Sequence, residues 1–155
     1  MTPSAEKSQL ALVIRIRRQA CAIPLSYVSE VLRPLPIEAT PSQLDALLGV
    51  TILRGHPVPV IDASRLISEG VSEPPGRFVA LRVGQRTAVL AVDEVIGVRD
   101  LSDLTLESLP PLFREAESEA VSRIGRLDHE LLLVLRAARF VEDDLRIGSQ
   151  VEASR

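Results

Sequence analysis

Residues 49–67 read GVTILRGHPVPVIDASRLI, and the fold turns on how this stretch is read. An apolar run, Val50–Arg54, meets a tight turn at Gly55-His56 and returns as Pro57–Ile61, the pattern of a β-hairpin. The return strand carries prolines at 57 and 59. Backbone N–H groups along a strand point alternately to its two sides, so two prolines two apart remove donors from the same side. The amides of Val58 and Val60 remain on the other side. The spacing predicts an edge strand or a barrel corner, guarded against stray pairing. Asp62 then caps a brief helix through Ile67.

Working outward, Leu10–Arg17 alternates, with Leu12, Ile14 and Ile16 against Val13, Arg15 and Arg17, which predicts a half-buried strand. Arg18-Gln19 is the turn and Ala20–Leu25 the return. Val28 and Val31 stand three apart in Ser26–Leu32, so a helical turn leads into the next strand. Thr40-Pro41-Ser42-Gln43 has the capping chemistry of a helix start, and Gly49 sits where that helix would end. Downstream, Glu69–Gly76 is a linker. Phe78–Val83 and Thr87–Val92 form a hairpin around Gly84-Gln85, and Val95–Val98 follows. Leu109–Glu119 is a proline- and acid-rich excursion. Val121–Leu127 and Leu131–Leu135 form a last hairpin around Asp128-His129-Glu130, and Ala137–Leu145 is a final helix.

The second half repeats the first. ILRGHPVPVIDASRLI (52–67) aligns without a gap on RLDHELLLVLRAARFV (126–141), with Leu53 on Leu127, Val60 on Val134 and Arg65 on Arg139. The opening hairpins, VIRIRRQACAIPL and VALRVGQRTAVLAV, match in layout. A duplication predicts a mainly β fold of two pseudo-symmetric, five-stranded barrels of SH3-like or OB-like type, with short helices and a C-terminal helix. The expected organisation is a tail at 1–9, one domain at 10–147, and a tail at 148–155. Subdomains near 10–70 and 76–147 would share an apolar seam, with a strand or helix exchanged between them.

The totals narrow the function. Apolar residues are 46% of the 155, which supports a packed core and argues against wholesale disorder. Aromatics are 3% and the formal net charge is -3, a poor match to nucleic-acid binding. The basic run Arg15, Arg17, Arg18 reads as the face and turn of one hairpin. A single cysteine, Cys21, allows no internal disulfide. The start, MTPSAEKSQ, has no signal-peptide core, and no apolar run reaches membrane-span length. These features predict a cytoplasmic protein.

No chemistry of catalysis stands out. The sequence has no phosphate loop, no G-x-S-x-G and no cysteine pair for zinc. Cys21 lies between alanines without a basic neighbour and reads as an inert core thiol. His56 and His129 fall in corresponding turns and read as solvated. Asp93-Glu94, Asp100 and Asp103 read as strand ends and turns. The expectation is a binding module with no cofactor and no metal, against the alternative of a small β-barrel enzyme. Arg54 has two readings, an exposed turn arginine or one with a fixed acidic partner. Glu30, between Val28 and Val31, is the candidate partner.

The sequence resembles the chemotaxis coupling proteins, the CheW-like domain family. The family's run Gly-Val-x-Asn-Leu-Arg-Gly, followed by Pro-x-x-Asp, is matched by GVTILRG at 49–55 and PVID at 59–62. AIP at 22–24 and VSEV at 28–31 match its Ala-x-Pro and Val-x-Glu-Val. VDEVIGV at 92–98 matches its Val-Asp-x-Val and following Gly-Val. Motif order and spacing agree over about residues 10–145. Three positions depart: Ile52 replaces the usual Asn, Leu12 stands where an aromatic is common, and Arg136 where an acid is common.

The resemblance implies a cytoplasmic scaffold of a chemosensory array, recruited to receptors at the membrane. It would link the signalling tip of a methyl-accepting receptor to the regulatory domain of a CheA-type histidine kinase. An adaptor for twitching or surface sensing is the second reading. The resemblance also implies an ion pair between Glu30 and Arg54 beside a receptor groove built from Val28, Val31, Gly49, Leu53, Gly55 and Val95. It names no kinase-binding residues.

Overall fold

The computed structural model describes residues 9–41, 46–67, 74–108, 120–137 and 140–141. Eleven strands are present among them: β1 (Leu10–Ile16), β2 (Gln19–Pro24), β3 (Val28–Leu32), β4 (Leu47–Leu53), β5 (His56–Asp62), β6 (Arg77–Val83), β7 (Arg86–Val92), β8 (Glu94–Asp100), β9 (Glu107–Ser108), β10 (Val121–Leu127) and β11 (Glu130–Leu135). A one-turn helix at Leu25–Tyr27 leads into β3, and a short α-helix, α1 (Ala63–Ile67), follows β5. Asp62 caps α1 by accepting the Ser64 amide at 3.0 Å and the Ser64 hydroxyl at 2.7 Å. Ala137, Phe140 and Val141 are helical; the remainder of the expected final helix, the helix start at 42–45, the linker core at 68–73 and the 109–119 excursion lie outside the described residues.

The strands form two sheets, ordered β8-β1-β2-β11-β10-β9 and β3-β6-β7-β5-β4. Each sheet draws strands from both halves of the chain. The opening hairpin of the first half, β1–β2, inserts between β8 and β11, and that of the second half, β6–β7, inserts between β3 and β5. Both insertions use the same registers. Val134 pairs with Ala22 in the parallel β11–β2 ladder as Val60 pairs with Val89 in the parallel β5–β7 ladder. A bulge in β3 after Val28 is matched by one in β8 after Val95, and the irregularity between Leu47 and Gly49 by one between Val121 and Arg123. Conserved bulge positions within one chain fix the correspondence more firmly than the few identical residues. The first sheet has six strands rather than five because β9 adds a two-residue edge.

The core has three layers. The central one is the seam between the sheets, where Ile14, Ile16 and Ile23 of one meet Ile61, Leu81 and Leu90 of the other, with Phe140 and Val141. Ala11, Val13, Leu132 and Val134 line one outer cluster, and Val58, Val60, Phe78 and Val89 the other. β1 is therefore buried on both faces from Ala11 to Ile14, not half-buried as its alternation suggests. Its polar alternates, Arg15 and Arg17, lie only at the tip, where the covering layer ends.

Two turns sit one residue earlier than their glycine and polar residues suggest. Leu53 pairs with His56, so Arg54-Gly55 is the turn, with φ 51° and 82°. Ile16 pairs with Gln19, so Arg17-Arg18 is the turn, with φ 49° and 70°. Positive φ at both central residues is the twist a two-residue hairpin prefers, and here arginines adopt it. β5 is not an edge strand, since it lies between β4 and β7. The prolines are accommodated differently. From the hydrogen-bonded Leu53–His56 pair the ladder alternates, so Ile52–Pro57 and Val50–Pro59 are non-hydrogen-bonded pairs. Their nitrogens face the β7 side, and pairing with β7 begins only at Val60.

Candidate functional site: the clasp between β3 and β4

β3 and β4 are the two outer strands of the five-stranded sheet, and the chain closes the gap between them. Val50 turns its N–H and C=O away from β5. Both meet Glu38, each bond 2.8 Å long. The Thr51 hydroxyl donates to the Pro36 carbonyl at 2.7 Å. Gly49 is where this crossing is tightest. A Cβ there would lie 2.1 Å from the Glu38 carbonyl oxygen. Gly49 is thus a buried strand residue at φ 146°, not the helix terminus its sequence context suggests.

The second closure is ionic. Arg54 Nε donates to Glu30 Oε2 at 2.8 Å and Arg54 Nη2 to Glu30 Oε1 at 3.0 Å, a two-point fork. The positive φ of Arg54 swings its side chain off the β4–β5 turn and across to β3. The Arg54 side chain is 76% exposed and that of Glu30 27%, so the pair is a surface feature that adds little to stability. Its hydrogen bond and charge hold the Glu30 carboxyl below its ordinary value of 4.5 and raise the Arg54 guanidinium further. A group with a lowered folded pKa contributes stability above its unfolded value and loses it as pH falls through the folded one. The clasp is therefore intact at neutral pH and is lost in acid. Carbon-13 NMR titration should place the Glu30 midpoint below 4.5 in the wild type and nearer 4.5 in Arg54→Ala; equal midpoints would mean that the fork does not form in solution.

The other anticipated groove residues divide. Val31 is exposed on β3 beside Glu30. Val28 on β3 and Val95 on β8 both pack against the seam cluster from its rim. Leu53 leans on the outer cluster of the five-stranded sheet. Gly55 is exposed, at φ 82°, with open space where a Cβ would point. Gly49 lies beneath Glu38 and does not share their surface. The register adds two residues that the sequence reading missed. Val95 pairs with Ile14 as Val28 pairs with Leu81, so Val98 is the counterpart of Val31, and Val98 and Ile96 are both exposed. Aligning VSEV (28–31) on VIGV (95–98) would have found them.

The two-fold likeness breaks at the clasp. Gly97 stands where Glu30 does and Asp128 where Arg54 does, so this ion pair has no counterpart in the six-stranded sheet. Cys21 is buried in the seam; His56 and His129 are exposed beside or within their turns. Among the described residues, no group of three His, Cys, Asp or Glu side chains is placed to hold a metal ion, and no helix is long and apolar enough to cross a membrane.

Comparison with known proteins agrees with this geometry. The model of the CheW-like domain matches residues 10–145. The chain belongs to the CheW-like domain family. The "Probable chemotaxis protein CheW" of Rhizobium etli is 24% identical over 126 residues, covering 80% of this chain and 81% of that protein. "Protein FrzA" of Myxococcus xanthus is 30% identical over 124 residues, 77% of this chain and 75% of that one. The chemotaxis protein CheW of Klebsiella aerogenes is 27% identical over 138 residues, 86% and 81%. The crystal structure of the scaffolding protein TtCheW from Thermoanaerobacter tengcongensis superposes with a TM-score of 0.70 at 21% identity, covering 83% of this chain and 89% of that one. The two mixed sheets of this CheW-like chain therefore have a solved counterpart in fold.

Proposed function

We propose that the protein is a non-catalytic adaptor of a chemosensory array, coupling methyl-accepting receptors to a CheA-type histidine kinase. The observation that carries this reading is the family match across residues 10–145, most of the 155-residue chain. The mechanism is geometric. Two partners held on one rigid, seam-packed body feel each other's position, so a receptor change biases the kinase between states. The receptor tip, an amphipathic helical hairpin, lays apolar positions against Val28, Val31, Leu53 and Val95, with the Glu30–Arg54 fork at the edge. Val31 on β3, and its counterparts Ile96 and Val98 on β8 of the other sheet, are exposed apolar side chains. The protein works in the cytoplasm at receptor arrays, without cofactor or metal. The deciding experiment is a pull-down with the cognate kinase regulatory domain and a receptor signalling fragment. Capture of neither by the folded protein would overturn the reading.

The likeness to FrzA favours a second version, an adaptor of a non-flagellar system. Deletion of the gene, scored for swimming against surface motility, separates the two. In either version catalysis is absent, so Cys21→Ser, His56→Ala and His129→Ala should each retain signalling. Abolished signalling in any one of them, with folding and expression preserved, would point to an enzyme instead.

A further inference from the structure

The two inserted hairpins occupy equivalent places, yet their tips are held differently. At the β6–β7 tip only Gly84 has positive φ, and Arg82 Nε reaches the Gly84 carbonyl at 3.1 Å. At the β1–β2 tip both Arg17 and Arg18 stand in the left-handed region, which side chains other than glycine and asparagine adopt with strain. That tip is tied on both flanks. On the β8 side, the Arg17 amide donates to the Asp93 carboxylate, the Asp93 amide donates to the Arg15 carbonyl at 3.0 Å, and Arg15 Nε lies 3.3 Å from Glu94. On the β11 side, Arg15 Nη1 and Nη2 fork onto the two Glu130 oxygens at 2.8 and 3.2 Å, and Gln19 Nε2 donates to the Leu131 carbonyl at 2.8 Å. Arg15 Nη1 also donates to the carbonyl of Arg18, inside the strained turn, at 3.1 Å.

None of the carboxylates recurs in the other half. The register puts Ser26, Tyr27 and His56 where Asp93, Glu94 and Glu130 stand. The Glu94–Arg15–Glu130 array crosses from β8 over β1 and β2 to β11, and every acid in it comes from the second half while the arginine comes from the first. Contacts of this kind are solvent-facing and screened by salt, whereas the apolar seam beneath is not.

We infer that Arg15 is an ionic latch that holds the strained Arg17-Arg18 turn closed, and that ionic strength releases this tip locally while the rest of the fold stays shut. The β1–β2 tip is then a salt-responsive element set on a salt-insensitive apolar seam, and the β6–β7 tip is its built-in control.

The test is native-state hydrogen exchange on the full chain at about 20 mM and about 500 mM NaCl, reading amides 17–20 at one tip and 84–87 at the other. Wild-type exchange at the β1–β2 tip should rise several-fold with salt and stay level at the β6–β7 tip. Arg15→Gln should reach the high-salt rate already at low salt and lose the salt response. Glu130→Gln, changed on the exposed strand end, should move the tip in the same direction. Adding Arg18→Gly to Arg15→Gln should restore protection by removing strain from the turn. A salt-independent wild-type tip would overturn the latch. So would a Glu130→Gln variant with unchanged exchange, or an Arg15→Gln variant in which both tips speed up equally.

Discussion

Gly49→Ala is expected to lose about 3–5 kcal/mol of stability, the range of severe single substitutions, and about 10 °C in Tm. A methyl at this position would sit 2.1 Å from the Glu38 carbonyl oxygen and 2.9 Å from an Ile37 methyl. Neither is the free end of a flexible side chain. The carbonyl is itself bonded to the Val50 amide, so moving it away breaks the two hydrogen bonds that close the sheet. The backbone at φ 146° adds strain for any residue with a Cβ. Gly55→Ala is the matched control. It also has positive φ, but nothing lies within 4 Å of its Cβ, so its loss should be near 1 kcal/mol. Thermal melts of the two variants side by side are the measurement. Equal shifts would show that Gly49 is retained for its conformation alone and that the Glu38–Val50 closure can give way.

Gly49 also shows where the sequence was readable and where it was not. Local chemistry was legible: alternating apolar residues, the Asp62 cap and the duplicated hairpins all report on neighbours in the chain. A glycine after an apolar run has the same local signature at a helix end and at a tight strand crossing, so the sequence alone assigns Gly49 to the first and the structure to the second. What distinguishes them is Glu38, brought in by the path of the chain. The turns slipped for a related reason. Glycine and polar residues mark a turn to within a residue, but Arg17, Arg18 and Arg54 occupy positions where glycine or asparagine is the usual choice. Alternation in β1 could not reveal its second covered face, because that cover is supplied by Leu132 and Val134 from the far end of the chain. For the site, GVTILRG and VSEV point to Arg54 and Glu30 only through likeness to a family. Their meeting depends on β3 and β4 being opposite edges of one sheet, which no spacing in the sequence encodes.

Arg54→Ala is expected to weaken binding of a receptor signalling fragment by about tenfold or more, while leaving affinity for the kinase regulatory domain within about twofold. The expectation follows from where the pair sits. Both side chains are on the surface, so their loss leaves the core intact, and the melting temperature should barely move. What is lost is shape and charge at the edge of the apolar surface carrying Val31. Without the fork the Arg54-Gly55 turn loses this tie to β3, and Glu30 is left as an unpaired carboxylate beside the apolar surface proposed for the receptor. Arg54→Lys should fall between, because an ammonium can meet one Glu30 oxygen but cannot present two parallel donors. Glu30→Gln removes the charge and keeps an acceptor, so it should weaken receptor binding less than Arg54→Ala, and the double variant should be no worse than Arg54→Ala alone. Paired titrations of the folded variants against the two partners decide the matter. A fall in kinase affinity with receptor affinity unchanged would place the receptor elsewhere on the molecule. Fully additive losses in the double variant would show that Glu30 and Arg54 act on the receptor separately and that the fork between β3 and β4 is not what it recognises.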